Sequence, residues 1–326
     1  MTIRTTVLQA LKERKGEWIS GEALSGKLDV SRTMVWKHVK QLQGSGYEIE
    51  SSSRKGYRLV ACPDVLSPDE VKDGLTTDLL GRGEYFYYSS IDSTNNQART
   101  LAAEGYAEGT VVVADTQTEG RGRRGRNWYS PAGQGIYISL ILRPQMPLKE
   151  IPRISLMIAV AVAETLEKEL ALPARIKWPN DILINGRKVA GILSEAVTDL
   201  DGIEFVVAGI GLNINNPMRD FPNDFRTDPT SVLAETKQPA SRVQILQSLL
   251  ASLEKYYFIL QQGNFTDILQ RGRQLSMVIG QRVSLEDGGR LVSGRAVDID
   301  ENGFLVVCDA TGENHTIFSG EIEVRE

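Results

Sequence analysis

The stretch Gly120-Arg121-Gly122-Arg123-Arg124-Gly125-Arg126-Asn127-Trp128 constrains this chain more than any other. It sets four arginines among three glycines, between an apolar run at 110–114 and another that opens at Gly135. Glycine lets a backbone approach a ligand closely, and guanidinium forks bind carboxylates and phosphates through paired hydrogen bonds. The stretch therefore predicts a loop that holds an anion. Ordering a glycine-rich segment is entropically unfavourable, so the loop is expected to be mobile when empty and to order around its ligand.

Gly120, Gly122 and Gly125 also satisfy the dinucleotide fingerprint G-x-G-x-x-G. That fingerprint needs a helix directly after the loop and an acidic residue about 20 positions on. Neither follows: Trp128, Tyr129 and Pro131 open no helix, and Ile136 to Leu142 returns to β character. Strand, loop, strand is the expected order, and a Rossmann fold is excluded. No Gly-Lys-Ser/Thr phosphate loop occurs either.

At 326 residues the chain has room for two or three domains. Its longest apolar run, Ile154 to Ala163, is far short of the roughly 18 residues of a membrane helix, and no signal-peptide core opens the sequence, so no membrane partner and a cytoplasmic location are expected. Two cysteines, Cys62 and Cys308, and two histidines, His38 and His315, argue against a zinc site or a disulfide framework. No protein metal site is expected, and any metal should be Mg²⁺ on oxygen ligands.

Charge divides the chain. Residues 1–60 carry eleven Lys and Arg against six Asp and Glu, a balance of +5, while the whole chain is −5. The basic end and the acidic body read as different modules. Val7, Leu8 and Leu11 mark a first helix, Leu24 and Leu28 a second, and Ser31 caps a third whose Val35, Val39 and Leu42 form an apolar stripe. The free face of that third helix bears Arg32, Thr33, Lys37 and Lys40. Tyr47 to Glu50 and Tyr57 to Val60 flank Ser53-Arg54-Lys55-Gly56 as a basic hairpin. Together these predict a winged helix-turn-helix over residues 1–62 that binds double-stranded DNA through Ser31, Arg32, Thr33, Lys37, Lys40, Arg54 and Lys55. A merely solvated basic face is the alternative.

Ser67-Pro68-Asp69-Glu70 reads as a capping box that opens a second domain near residue 66. A strand at Glu84 to Tyr88 precedes Asp92-Ser93-Thr94-Asn95, whose small polar groups either cap the next helix or meet a polar ligand. Ile151 to Leu170 is a buried helix. Arg175 to Ile184 and Arg187 to Glu195 flank Asn185-Gly186, a type I′ hairpin signal that brings Lys177, Lys188, Asn180 and Asp181 together. Phe205 to Ile210 leads into Gly211-Leu212-Asn213-Ile214-Asn215, which suits either a polar rim beside a purine or an ordinary turn. Asn216 to Pro229 reads as a mobile lid. Short β runs at 282–285, 295–298 and 304–308, with turns at Asp287-Gly288-Gly289 and Asn302-Gly303, end the chain.

In this order Ser93-Thr94-Asn95, the glycine-arginine loop, Lys177-Trp178-Pro179-Asn180-Asp181, 186–193 and Gly211 to Asn215 closely resemble the biotin protein ligases, and the preceding winged helix resembles the bifunctional form that is also the biotin operon repressor. The arginine loop together with the Lys177 to Asp181 motif carries the resemblance, which spans essentially the whole chain. It implies an α+β multidomain protein: a winged helix-turn-helix, a central mixed-sheet α/β catalytic domain related to class II synthetases over 66–272, and an SH3-like β-barrel over 275–326. It implies an ATP-dependent, AMP-forming ligase that makes biotinyl-5′-AMP and passes biotin to a lysine of the biotin carboxyl carrier protein, with Mg²⁺. It further implies a repressor that is a homodimer when bound to the adenylate.

By the same resemblance Ser93, Thr94, Asn95, Gln117, Arg121, Gly122, Arg123, Lys188 and Gly191 bind biotin. Arg121, Arg123, Arg124, Arg126, Trp128, Asn180 and Asn213 bind ATP and the adenylate, with Trp128 covering the adenine, and Arg121, Lys188, Lys177 and Asp181 are catalytic. A lipoate-type ligase, a biotin-sensing repressor without catalysis and an arginine-glycine RNA-binding segment are the rivals; the last is disfavoured because the loop occurs once, between strands.

Overall fold

The computed structural model describes residues 2–200, 202–222, 227–287 and 290–325 and separates into two compact units, Met1–Val65 and Leu66–Glu326. In the first, helices α1 (Ile3–Glu13), α2 (Gly21–Leu28) and α3 (Arg32–Gly44) precede strands β1 (Glu48–Ser52) and β2 (Gly56–Ala61). Thr2, Ser20 and Ser31 each cap the helix they precede, accepting the backbone N–H three residues on. Val7, Leu8, Leu11, Leu24, Val35, Val39, Leu42 and Leu59 make one core. Ile19 exchanges both backbone hydrogen bonds with Tyr57, adding a short third strand to the hairpin. Gly56 permits this approach: its φ is +95°, and a Cβ there would lie 2.0 Å from the Ile19 carbonyl oxygen. The winged helix expected from the sequence is the observed fold.

The second unit opens with α4 (Pro68–Val71). The expected capping box does not form: Ser67 makes no side-chain cap bond, Glu70 is buried, and a 3₁₀ turn at Lys72–Gly74 ends the helix after one turn. The body is a seven-stranded sheet in the order β3-β4-β5-β9-β8-β7-β6. Its strands are β3 (Tyr85–Tyr88), β4 (Val111–Ala114), β5 (Gly135–Leu142), β6 (Ala174–Lys177), β7 (Asp181–Ile184), β8 (Arg187–Thr198) and β9 (Ile203–Asn213). The β3–β4 pair is parallel and every other pair antiparallel, a mixed sheet.

Side-chain alternation explains the layers. Helix α5 (Thr94–Ala103) covers one face through Ala98, Leu101 and Ala102 against Val112, Ile141, Phe205 and Val207. The opposite residues, among them Val111, Val113, Ile138, Leu140, Val206 and Ala208, pack under α6 (Ile151–Leu170), α8 (Arg242–Gln261) and α9 (Phe265–Leu275), with α7 (Val232–Thr236) joining β9 to α8. Where the sequence reads as one strand from Arg175 to Ile184, the chain folds back at Trp178-Pro179-Asn180, so that Lys177 pairs with Asp181 across β6 and β7. The second turn, Asn185-Gly186, has φ of +50° and +77°, as a type I′ turn requires.

The chain ends in β10 (Arg282–Asp287), β11 (Arg290–Ile299), β12 (Leu305–Cys308), β13 (Asn314–Ile317) and β14 (Glu323–Arg325), an antiparallel sheet in the order β13-β12-β11-β10-β14. Val283, Leu285, Ile299, Leu305 and Val307 belong to the same buried cluster as α6 and the central sheet. Trp178 Nε1 ties the two together by donating to the Gly303 carbonyl at 3.0 Å. The expected Asn302-Gly303 turn is present, whereas Gly288-Gly289 lies outside the described residues. Among the described residues no helix is long and apolar enough to cross a membrane.

Candidate functional site

A cleft of about 1320 Å³ opens on the α5 face of the sheet, just beyond the N-terminal end of that helix. Along β9 the residues on this face run Phe205, Val207, Gly209, Gly211 and Asn213, so the bulky side chains that meet α5 give way to bare backbone. Gly191 of β8 lies beside Gly211 and extends that floor. The glycines are required by close approach. A Cβ at Gly209 would lie 2.0 Å from Asn95 Oδ1, at Gly211 2.3 Å from Trp128 Nε1, and at Gly191 2.8 Å from the Trp128 ring.

One wall is the start of α5. Ser93 precedes the helix, is buried, and makes no cap bond, so the cap is supplied from elsewhere. Gln117 Oε1 accepts from the Thr94 N–H at 2.8 Å and from Thr94 Oγ1 at 3.1 Å, while its Nε2 donates to Ser130 Oγ at 2.9 Å. Ser139 Oγ donates to Asn95 Oδ1 at 2.6 Å, and Asn95 Nδ2 donates to the Leu193 carbonyl and to Glu195 Oε2. The amides of Asn95 and Gln117 are thus taken up in shaping the wall, while the Ser93 hydroxyl is left at the helix N-terminus.

The arginine loop crosses the cleft as a tight hairpin. Trp128 N–H donates to Gly120 O at 2.8 Å and Gly122 N–H to Arg126 O at 2.7 Å, with Arg124 at a φ of +57°. Its arginines diverge. Arg121 turns to the sheet and α5, donating to Glu195 Oε1 at 2.9 Å and to Asn96 Oδ1 at 2.9 Å. Arg126 pairs with Glu321 ahead of β14. Arg123 alone turns to the Lys177 to Asp181 turn, where it donates to Asn180 Oδ1 at 3.2 Å. Burial first, and then the Arg124 charge, lower the pKa of Arg123, against the opposing pull of Asp181 and Glu321. Arg124 has no ion pair or hydrogen bond among the described residues. The guanidinium of Arg121, expected at a carboxylate and phosphate, lies against Glu195 and Asn96.

Lys188 meets Asp181 Oδ1 at 2.6 Å, an ion pair without the alignment of a hydrogen bond, and its Nζ stands 5.3 Å from the centre of the Trp128 ring. Lys177 Nζ is 3.5 Å from Thr227 Oγ1. The β6–β7–β8 double hairpin brings these groups to one end of the cleft, as expected. Asn213 donates through Nδ2 to the Thr230 carbonyl at 3.0 Å, while its buried Oδ1 has no partner among the described residues. Asn215 belongs elsewhere: its amide exchanges two hydrogen bonds with Ala240, so the paired-asparagine rim reduces to Asn213. The indole of Trp128 lies on the glycine floor with its N–H buried and unpartnered among the described residues.

Of the expected lid, Phe221, Pro222, Thr227 and Pro229 line the cleft, and residues 223–226 lie outside the described residues. Sequence reasoning missed Ser130, Ser139, Glu195, Gly209 and Glu321. The alternate glycines 209 and 211 in an otherwise apolar strand were a usable signal; Glu321, 195 positions from Arg126, left none.

On the first unit, Arg32, Thr33, Lys37 and Lys40 of α3 are exposed, as are Arg54 and Lys55 at the hairpin turn. Arg32 pairs with Glu22 at 2.8 Å, and the Ser31 hydroxyl accepts the Met34 N–H as a cap. Lys55 and Arg58 stand over the Trp18 ring at 5.7 and 5.0 Å, which fixes the hairpin against the helices.

A winged helix is thus carried on the same chain as a mixed-sheet domain whose cleft is floored by glycines and crossed by an arginine loop, the class of a DNA-binding module joined to a domain that takes an anionic ligand. The biotin/lipoate A/B protein ligase family model matches residues 87–215, an HTH domain model residues 4–58, and the biotin protein ligase C-terminal domain residues 278–325. The bifunctional ligase/repressor BirA of Bacillus subtilis is 38% identical over 99% of both chains, and that of Escherichia coli K12 is 30% identical over 95% of this chain and 94% of the relative. Among solved structures, the biotin protein ligase of Aquifex aeolicus in complex with biotin and ATP is 28% identical with a TM-score of 0.65, over 74% of this chain and 99% of that one. The chain belongs to the biotin protein ligase family, in its bifunctional ligase/repressor branch.

Proposed function

We propose that the protein activates biotin with ATP to biotinyl-5′-AMP, transfers biotin to a lysine of the biotin carboxyl carrier protein, and represses biotin genes. The observation that carries this reading is the gathering of Arg123, Lys177 and Lys188 about Asp181 at one end of the glycine floor. In the first step a carboxylate oxygen of biotin bonds to the α-phosphorus of ATP, and the bond to the β-phosphate breaks, releasing pyrophosphate. A carboxylate with a pKa of about 4 is already ionised at neutral pH, so no base is needed. The obstacle is anion repulsion, roughly 4 kcal/mol per charge pair at about 4 Å with an effective dielectric near 20. Arg123 and Lys188, both beside the Asn180-Asp181 turn, oppose it. In the second step the neutral amine of the acceptor lysine bonds to the acyl carbon, the bond from that carbon to the AMP oxygen breaks so that AMP departs with its oxygen, and the nitrogen gives up a proton to water.

Asn213 Oδ1 is an acceptor in search of a donor, which suits the exocyclic amine of adenine, and Trp128 supplies an aromatic face. Mg²⁺ prefers oxygen ligands and tolerates one carboxylate plus phosphates, a description that Asp181 fits; bound there it would neutralise phosphate charge. The finer parts of the reading belong together: an SH3-like module over 275–326, a 66–272 ligase domain related to class II synthetases, a cytoplasmic location, and homodimerisation on adenylate binding that sets two winged helices on a palindromic operator. Mass spectrometry of a carrier domain incubated with the protein, biotin and ATP tests the transfer: biotinylation at one lysine is expected. No product with biotin, or equal transfer of lipoate, would refute the assignment. Sedimentation with and without biotin plus ATP tests the dimer, and an unchanged mass at micromolar protein would remove that part.

A further inference from the structure

The Asn213 side chain has one end fixed and the other unpartnered. Its Nδ2 donates to the Thr230 carbonyl at 3.0 Å, and its buried Oδ1 has no partner among the described residues. Where Oδ1 points therefore depends on where the Thr230 carbonyl stands. Thr230 is fully buried and lies outside the cleft lining. Strand β9 pairs with β8 only from Ala190 onward, and beyond that point Asp228 to Thr230 runs beside β8 instead. There the Lys188 N–H donates to the Asp228 carbonyl and the Thr230 N–H to the Lys188 carbonyl, both at 2.8 Å. The Thr230 side chain is held from behind. Its hydroxyl donates to Glu235 Oε1 at 2.5 Å, Arg187 Nη2 donates to the same oxygen at 2.7 Å, and Asn185 Nδ2 donates to Oε2 at 3.0 Å. On the other side of the peptide, Ser231 Oγ donates to the Asn216 carbonyl at 2.7 Å and accepts the Ala234 N–H. The Thr230–Ser231 peptide is thus gripped at both residues, and Glu235 fastens it to the Asn185-Gly186 hairpin.

We infer that Glu235 is a positioning residue for nucleotide selection: through Thr230 it sets the Asn213 side chain, and with it the direction of the acceptor offered to a purine. The inference rests on reading Asn213 as the group that meets the exocyclic amine of adenine. Two physical points favour this over a brace that only neutralises Arg187. The Glu235 side chain is 6% exposed and accepts from three separate residues, so its geometry is fixed rather than adjustable. Its path to the cleft is short and made of hydrogen bonds alone, from carboxylate to Thr230 hydroxyl and from Thr230 carbonyl to Asn213 amide. A purine that presents a carbonyl oxygen to Asn213 Oδ1 in place of an amine sets acceptor against acceptor and leaves both unpaired, which a fixed side chain penalises and a swinging one avoids.

Biotin-dependent nucleotide–pyrophosphate exchange, run with ATP and with GTP, is the test. The variants are Glu235→Ala, Thr230→Val, Thr230→Ser, Asn213→Ala, and Thr230→Val combined with Asn213→Ala. Thr230→Val nearly keeps the shape of the side chain and removes the hydroxyl, so the path stays testable should Glu235→Ala fail to fold. Glu235→Ala and Thr230→Val should each raise KM for ATP about fivefold and lower the ratio of kcat/KM for ATP over GTP by about the same factor, with kcat for ATP little changed. Thr230→Ser retains the hydroxyl and should stay within about twofold of the unaltered protein. The combined variant should be no worse than Asn213→Ala alone, since Thr230 acts through Asn213. An ATP-to-GTP ratio unchanged in Thr230→Val or in Glu235→Ala, while Asn213→Ala lowers it, overturns the inference and leaves the reading of Asn213 standing. Effects that multiply in the combined variant also overturn it, because Thr230 would then reach the nucleotide by another route. An unchanged ratio in Asn213→Ala itself would refute the adenine reading of that residue, and the inference with it.

Discussion

Replacing Gly209 by alanine isolates the feature on which the cleft depends. The added Cβ would lie 2.0 Å from Oδ1, 2.8 Å from Cγ and 3.0 Å from Nδ2 of Asn95, so the whole amide is in the way. That amide cannot swing aside freely, because Ser139, Leu193 and Glu195 hold it from three directions. Forcing a methyl group into a packed site costs about 1–3 kcal/mol, and a broken buried hydrogen bond adds about 1. The expected loss is therefore about 2–4 kcal/mol, or a melting temperature lower by about 5–10 °C for a unit of this size. Thr94 and Ser93 would move with Asn95, so KM for biotin should rise as well. Scanning calorimetry and initial-rate kinetics on Gly209→Ala, Asn95→Ala and the double variant make the assay. With Asn95 truncated the methyl group has room, so the double variant should be no less stable than Asn95→Ala alone. A Gly209→Ala protein within about 0.5 kcal/mol of the unaltered one, or strict additivity in the double variant, would refute the reasoning.

Asn213→Ala removes the unpartnered acceptor and should raise KM for ATP by about tenfold, in keeping with one lost hydrogen bond, while eroding the preference for ATP over GTP; initial rates with both nucleotides decide this. Lys37→Ala on α3 should weaken DNA binding and lower the slope of log affinity against log salt by about one, with carrier biotinylation unaffected; a fall in ligation would show that the two units do not act separately. The carboxyl of Asp309 is held well below the usual carboxylate range, first by His315 and then by Thr311. A depressed folded pKa contributes stability above the unfolded value and loses it as pH falls toward the folded one. His315→Asn should therefore move the Asp309 titration up toward the ordinary range, measurable by NMR.

The winged helix was legible because three capped amphipathic helices and a basic turn are local signals, each complete within about a dozen residues. The same holds for α6 and for the Asn185-Gly186 turn. The cleft was legible as a set of motifs but not as a set of contacts. Arg121 and Arg123 are chemically alike and two positions apart, and what sends them in different directions is Glu195 and Asn180, 74 and 57 positions further on. No local pattern records such a pairing. The short α4 and the break of the Arg175 to Ile184 run at Trp178-Pro179-Asn180 were misread for a related reason: both are decided by packing on distant elements, Glu70 by burial and Trp178 by its bond to Gly303. Asn213 and Asn215 look equivalent in sequence, and only the position of Ala240 tells them apart.

Central to all of this is that a cation-strapped, glycine-floored cleft joins a carboxylate to the α-phosphate of ATP. Incubating the purified protein with ATP, Mg²⁺ and labelled pyrophosphate, with and without biotin, measures that step directly. The account predicts label entering ATP only when biotin is present, and its loss in a variant lacking both Arg123 and Lys188. Exchange that ignores biotin, or that survives the removal of both cations, would contradict it.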